Sequence, residues 1–197
     1  MQLAYVFLGY FLGSMLFGYR ITWLLKGVDI RKLAEDENPG TYNAFVFGGF
    51  WCGILTLLAD MGKGYLPVIL YRQNYSTEEL IFALVMAAPV FGHAFSIFHG
   101  RKGGKGIAGS FGVLLALFPI WKPVLLLAFF YILFSVVFKI RSHRRRSIVT
   151  FGCFCVGCLS LVPIPAILLG CVLISCIVIY KHHLMEEKSN ESANLIL

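Results

Sequence analysis

Seven apolar runs follow one another along this chain, at about residues 3–25, 44–71, 79–98, 107–119, 123–138, 148–162 and 164–180. A helix needs about 20 apolar residues to cross a bilayer. Lipid offers no partner to a bare backbone N–H or C=O, so such runs fold as helices that satisfy themselves. The expected fold is therefore an all-α integral membrane protein, a bundle of about seven transmembrane helices. Composition agrees: 58% of the residues are hydrophobic and 14% charged, where soluble domains stand nearer 45–50% and 25%. A single polytopic domain is expected over residues 1–185, with a short polar tail at 186–197. The second run is expected to be interrupted by "DMGKG" at 60–64, and the last two to turn at "PIP", Pro163 to Pro165. Several runs fall short of 20 residues and are expected to thin the bilayer or to stand inside the protein. The first run lacks a basic n-region and is longer than a signal h-region, which predicts a retained first span.

The formal net charge is +7. Nucleic acid is one partner for a basic chain, but the placement of the cations points elsewhere. Residues 26–43, 99–106, 139–147 and 181–197 carry thirteen Lys and Arg, whereas the alternate connections hold Arg72 and Lys122. Cations gather on the cytoplasmic side of membrane proteins. The expectation is an N-terminus outside, a C-terminus in the cytoplasm and no nucleic-acid role. "KIRSHRRR" reads as a cytoplasmic anchor facing anionic lipid. The six cysteines lie in apolar segments, and no His, Asp or Glu stands among Cys153, Cys155 and Cys158. They read as small packing residues rather than a metal site. Gly9 and Gly13 form a GxxxG pair suited to close helix packing.

"HGRKGGKG", His99 to Gly106, sets three cations among four glycines just before an apolar run. Glycines let backbone N–H groups converge on one point, and the next helix aims its positive end there. Arg101, Lys102 and Lys105 add full charges, so the loop suits a phosphate. It lacks the G-x-x-x-x-G-K-[ST] pattern of a nucleotide P-loop. Asn38, Pro39, Gly40 and Asn43 form a second polar island on the same side. Asp60 and Lys63, within an apolar run, are functional candidates by their cost in lipid, though a lysine also snorkels. His93 ends the third run beside the basic loop.

The segments "GSMLFGY", "KGVDIRK", "NPGTYN", "DMGKG" and "GHAFSIFHGRKGGKGIAGSFG" occur in the order found in bacterial PlsY proteins, which this chain resembles. The resemblance is clear over residues 1–118. It implies a multi-pass protein of the bacterial inner membrane. It also implies transfer of a fatty acyl group from acyl phosphate to glycerol 3-phosphate, giving lysophosphatidic acid for phospholipid synthesis. The acyl donor is already an activated anhydride, so no cofactor, metal or covalent intermediate is implied. Asn38, Lys105 and His183 are then expected to be catalytic. Asn43, Lys63, His93, Arg101, Lys102, Gly103, Gly104 and Gly106 are expected to bind substrate.

Three positions depart from the PlsY pattern. Asp36 stands where the first motif has a serine, and Val46 where it has an arginine. In the third motif either His182 or His183 supplies the histidine, with no Asn in the usual place and Glu186, Glu187 or Glu191 for the glutamate. These departures motivate an alternative, a catalytically altered or inactive paralogue that binds a phosphate-bearing lipid or a partner enzyme. A transporter is disfavoured by the sparse intramembrane charge and the lack of an internal repeat.

Overall fold

A computed structural model describes residues 1–34 and 36–194, with side chains described to Leu184. Every regular element among these residues is helical: α1 (Leu3–Ser14), α2 (Phe17–Lys26), α3 (Ile30–Leu33), α4 (Thr41–Gly48), α5 (Phe50–Arg72), α6 (Ile81–Ala94), α7 (Ile107–Leu115), α8 (Lys122–Ile132), α9 (His143–Leu161) and α10 (Pro165–Asn194). A 3-10 turn at Ile97–His99 and a π segment at Leu133–Val137 complete the set. The seven apolar runs map onto these helices in order. Four stretches are long and apolar enough to cross a membrane: Leu3–Lys26, Phe50–Arg72, Ile81–His99 and Pro165–Leu184.

α6 lies at the centre, packed by α1 and α10, while α7 packs on α5 and α9 on α10. Phe82, Leu114, Leu117, Phe151, Phe154 and Ile174 fill the interior. Phe7, Leu58, Leu84, Phe129, Val156 and Leu159 stay exposed and face outward, as lipid-covered surface requires. The GxxxG pair does what its spacing implies. A Cβ on Gly9 would press on Pro89, and one on Gly13 would collide with the Pro89 backbone. α1 and α6 therefore cross nearly backbone to backbone.

The breaks fall elsewhere than the sequence suggests. "DMGKG" sits inside the continuous helix α5, because Asp60 and Lys63 pair one turn apart and neutralise each other. The interruption of the second run is instead at Gly49, in the left-handed region at φ 84°. The first run is also broken, between α1 and α2, where Met15 and Leu16 leave helical geometry. Two carbonyls freed there are taken by side chains: Ser96 Oγ donates to Ser14 O at 2.6 Å, and Lys63 Nζ to Met15 O at 2.7 Å.

The connections sort to two ends. At one end Gln2 Nε2 donates to Glu79, and Arg72 donates to the Ala116 and Phe118 carbonyls. At the other end the cation-rich segments meet: Lys105 reaches Asp36, and the His143 ring lies against Tyr42 and His182.

Candidate active site

A cavity of about 590 Å³ opens at this second end. Its polar lining is Asp36, Asn38, Thr41, Asp60, His93, Lys105, Arg141, His143 and Arg146, and its apolar lining includes Phe45, Leu57, Ile107 and Phe111. Five separate stretches of chain thus meet at one hollow with a charged and a greasy side. That suits an amphiphile with an ionic head.

The glycine loop supplies Lys105. Gly100, Arg101 and Gly106 take left-handed backbone, at φ 59°, 62° and 80°, which folds the segment tightly between the 3-10 turn and α7. Gly104 does not need that freedom; it needs the lack of a side chain. Its N–H donates to the His93 carbonyl at 3.0 Å, and a Cβ there would be driven into the His93 ring. A Cβ on Gly103 would strike the His93 carbonyl. The loop is therefore laid onto the end of α6. We expect Gly104→Ala to cut the activity of this site by tenfold or more without removing a charge, because His93 must move. Unchanged activity in a folded variant would show that only the cations of the loop matter.

Beneath the loop lies a buried charged cluster. Lys63 Nζ is 2.7 Å from Asp60 Oδ1, and the two side chains are each 2% exposed. The same Nζ lies 2.7 Å from His93 Nδ1. With Lys63 as donor, the neutral His93 ring carries its proton on Nε2, the nitrogen turned toward Gly104. Asp60 and His93 reach the cavity wall; Lys63 stands behind them and orients both.

Asp36 is the hub of the first polar island. Its carboxylate receives Lys105 Nζ at 2.7 Å, Asn43 Nδ2 at 2.9 Å and the Asn38 backbone N–H at 3.2 Å. Asn43 also donates to the Asn38 carbonyl at 2.8 Å. Burial pushes the Asp36 carboxyl up, but Lys105, Asn43 and the Asn38 N–H together hold it below its ordinary value of 3.8. The group is thus ionised at neutral pH. Its contribution to folding is present above its ordinary value and is lost only as pH falls through the lower folded one.

The expected residues distribute unevenly. Asn38, His93, Lys105 and Gly106 line the cavity. Asn43 is buried and braces the Asp36 turn. Lys102 is 72% exposed, 3.7 Å from Glu37. Arg101 departs from expectation: its twisted backbone sends it to a second, aromatic hollow with Tyr10, Phe91, Phe95 and Tyr180. His183 lies on the exposed face of α10, whereas His182, one residue or about 100° round the helix, is 1% exposed and stacks on His143 with ring centroids 6.5 Å apart. Of the two histidines that could serve the third motif, His182 is the one turned inward. The glutamate candidates of that motif, Glu186, Glu187 and Glu191, lie outside the described side chains. Val46 is 56% exposed and off the cavity.

Sequence reasoning missed Arg141, His143 and Arg146. Read as a lipid anchor, this segment instead sends three cation-bearing or imidazole side chains to the cavity wall. The available signal was that the densest basic cluster lies on the same side as the motifs.

The model of the glycerol-3-phosphate acyltransferase family matches residues 3–188. The chain belongs to this family. The glycerol-3-phosphate acyltransferase of Maridesulfovibrio salexigens is 38% identical over 73% of this chain and 67% of its own length. That of Solidesulfovibrio magneticus is 35% identical, covering 91% of this chain and 86% of its own. For several other curated relatives the matched region spans about half their length. Crystal structures of PlsY, an integral membrane glycerol 3-phosphate acyltransferase, in its glycerol 3-phosphate and lysophosphatidic acid forms, superpose with TM-scores of 0.81 and 0.80. Identity is 27% and 26%, with 98% of this chain and 92% of the other covered. The family, the helical membrane fold and the resemblance to PlsY agree.

Proposed function

We propose that this chain transfers a fatty acyl group from acyl phosphate to glycerol 3-phosphate, giving lysophosphatidic acid and inorganic phosphate. The observation that carries this reading is one cavity holding Lys105, Asn38 and His93 beside an apolar wall of Phe45, Leu57 and Phe111, in a chain of this family. The acceptor hydroxyl oxygen attacks the acyl carbonyl carbon. The anhydride bond to the phosphate oxygen breaks, and the phosphate leaves with that electron pair. The hydroxyl proton ends on the phosphate, so the products are an ester and hydrogen phosphate. Catalysis then consists mainly of holding two anions and aligning hydroxyl with carbonyl.

In this reading Lys105, with the loop of Gly103, Gly104 and Gly106, takes the phosphate of glycerol 3-phosphate. Asn38 orients the reacting groups, and His182 fills the role the sequence gave to His183. Asn43, Lys63 and His93 hold the site in shape. Lys102 and Arg101 draw anions from outside it. The cation distribution supports seven crossings with the cavity on the cytoplasmic side, and kinship with bacterial glycerol-3-phosphate acyltransferases favours a bacterial inner membrane. The test is an assay of purified protein in lipid with acyl phosphate and a panel of phosphorylated and plain polyols. Lysophosphatidic acid from glycerol 3-phosphate is the expected product. No turnover at high enzyme with both substrates would leave the non-catalytic alternative.

Asp36 bears directly on this reading. It holds Lys105 through contacts that a phosphate oxygen would make, so substrate must displace a tethered anion. Asp36→Ser should lower the KM for glycerol 3-phosphate roughly two- to fivefold, the scale of a part-exposed ion pair, while a hydroxyl keeps a partner for Asn43. Loss of activity instead would give the carboxylate a positive role, as base toward the acceptor hydroxyl.

A further inference from the structure

We propose that the second, aromatic hollow, of about 640 Å³, binds an anionic phospholipid from the membrane leaflet at the cation-rich end, with Arg101 on the lipid phosphate. This binding goes beyond acyl transfer and does not depend on it, because the hollow shares no lining residue with the active-site cavity. Tyr10 comes to it from α1, Phe91 from α6 and Tyr180 from α10. All three lie in stretches long and apolar enough to cross a membrane. The rings form a chain: centroids are 6.0 Å apart from Tyr10 to Phe91, 5.0 Å from Phe91 to Phe95 and 6.2 Å from Phe95 to Tyr180. Phe91 is 45% exposed and Tyr180 57%. In a bilayer that open side faces lipid, with the tyrosine rings suited to the headgroup level. Lipid therefore fills the hollow, and the charge at its rim selects which lipid.

That rim is positive. On the glycine loop, Lys105 pairs with Asp36 and Lys102 with Glu37. Arg101 makes no ion pair among the described residues, and it is the cation of this loop that lines the hollow. It holds left-handed backbone at φ 62°, a conformation costly for a long side chain. Its N–H donates to the Ser96 carbonyl at 2.8 Å, which fixes the turn. Lys181 adds a second positive charge, its Nζ 5.2 Å from the centroid of the Phe95 ring. No Asp or Glu is among the lining residues, whereas the active-site cavity has Asp36 and Asp60. A basic pocket between spanning helices is a setting in which phospholipid headgroups are recognised, and a guanidinium meets phosphate with two parallel donors. A free phosphate would use the arginine but not the aromatic wall. A zwitterionic lipid would bring its own cation toward Arg101 and Lys181. A lipid with a net negative headgroup uses both sides of the hollow.

The test reads binding rather than turnover. The full chain in a non-ionic detergent is titrated with phosphatidylglycerol or with phosphatidylcholine of the same acyl chains, and bound lipid is counted by native mass spectrometry. Wild type is compared with Arg101→Gly, Arg101→Lys, Tyr180→Ala and Arg145→Gln, and thermal unfolding checks that each is folded. Glycine fits the left-handed position without strain, so Arg101→Gly removes the guanidinium and leaves the turn. The first phosphatidylglycerol should bind wild type five- to tenfold more tightly than phosphatidylcholine. Arg101→Gly should shrink that preference to within twofold. Arg101→Lys, which keeps the charge, should fall between, and Arg145→Gln should match wild type. Tyr180→Ala should weaken both lipids threefold or more and keep the preference; unchanged binding there would overturn the hollow as the seat. No preference in wild type, or a preference that survives Arg101→Gly, would overturn the proposal. So would an equal loss in Arg145→Gln, which would show an effect of overall charge. Displacement of phosphatidylglycerol by equimolar inorganic phosphate or lysophosphatidic acid would overturn it too, giving Arg101 to a free anion or to a reaction product.

Discussion

Lys105→Ala is expected to raise the KM for glycerol 3-phosphate by about ten- to a hundredfold, the scale of one charge-assisted contact to phosphate, or roughly 1.5–3 kcal/mol. Two effects add. The substrate loses its cation, and Asp36, now lacking its partner at 2.7 Å, faces the incoming phosphate as an uncompensated like charge. The double variant Asp36→Ser with Lys105→Ala should therefore recover part of the loss. Arg145→Ala is the proper control, since Arg145 is exposed and off the cavity. Steady-state kinetics with glycerol 3-phosphate varied at saturating donor make the comparison. Equal effects of Lys105→Ala and Arg145→Ala would remove the case for a specific phosphate contact on the loop.

The largest effect on stability is expected from Lys63→Met. The change leaves Asp60 buried at 1% exposure without its cation, frees the Met15 carbonyl and removes the donor to His93. Breaking one side of a buried ion pair costs about 3–5 kcal/mol, a large share of a typical stability of about 5–15 kcal/mol. Removing both charges is far milder in general. Lys63→Met combined with Asp60→Asn should thus unfold at a higher temperature than Lys63→Met alone. Thermal unfolding in one detergent reads both. If the single change is silent, this pair does not hold the bundle together.

The helices were legible because lipid leaves the backbone few choices. Each apolar run had to become helix, and the Pro163–Pro165 turn between α9 and α10 is where the prolines put it. The breaks were not legible in the same way. Nothing local at Met15 or Leu16 forbids helix; the break exists because Ser96 and Lys63, far along the chain, take up the freed carbonyls. A window of sequence does not contain such partners. In the site, Lys105 and Asn38 were legible through a motif whose spacing is unusual. Arg141, His143 and Arg146 were not, since basic residues beside a span already have an ordinary topological cause. In the sequence Asp36 shows only acidic neighbours, Glu35 and Glu37. Its true setting is three donors, and the strongest of them lies 69 residues away. His182 and His183 differ only by helix rotation, which adjacent identical residues cannot reveal.

The seam in the first span also has a meaning in time. Ribosomes deliver this chain from its N-terminus, so the Met15 carbonyl reaches the bilayer 48 residues before Lys63 exists, and the Ser14 carbonyl 82 residues before Ser96. Before those segments arrive nothing local opposes a continuous helix, and both carbonyls bond within it. The break is thus made late, when the second and third apolar runs bring Lys63 and Ser96 to the two carbonyls. Assembly of the bundle includes unwinding one turn of its own first span.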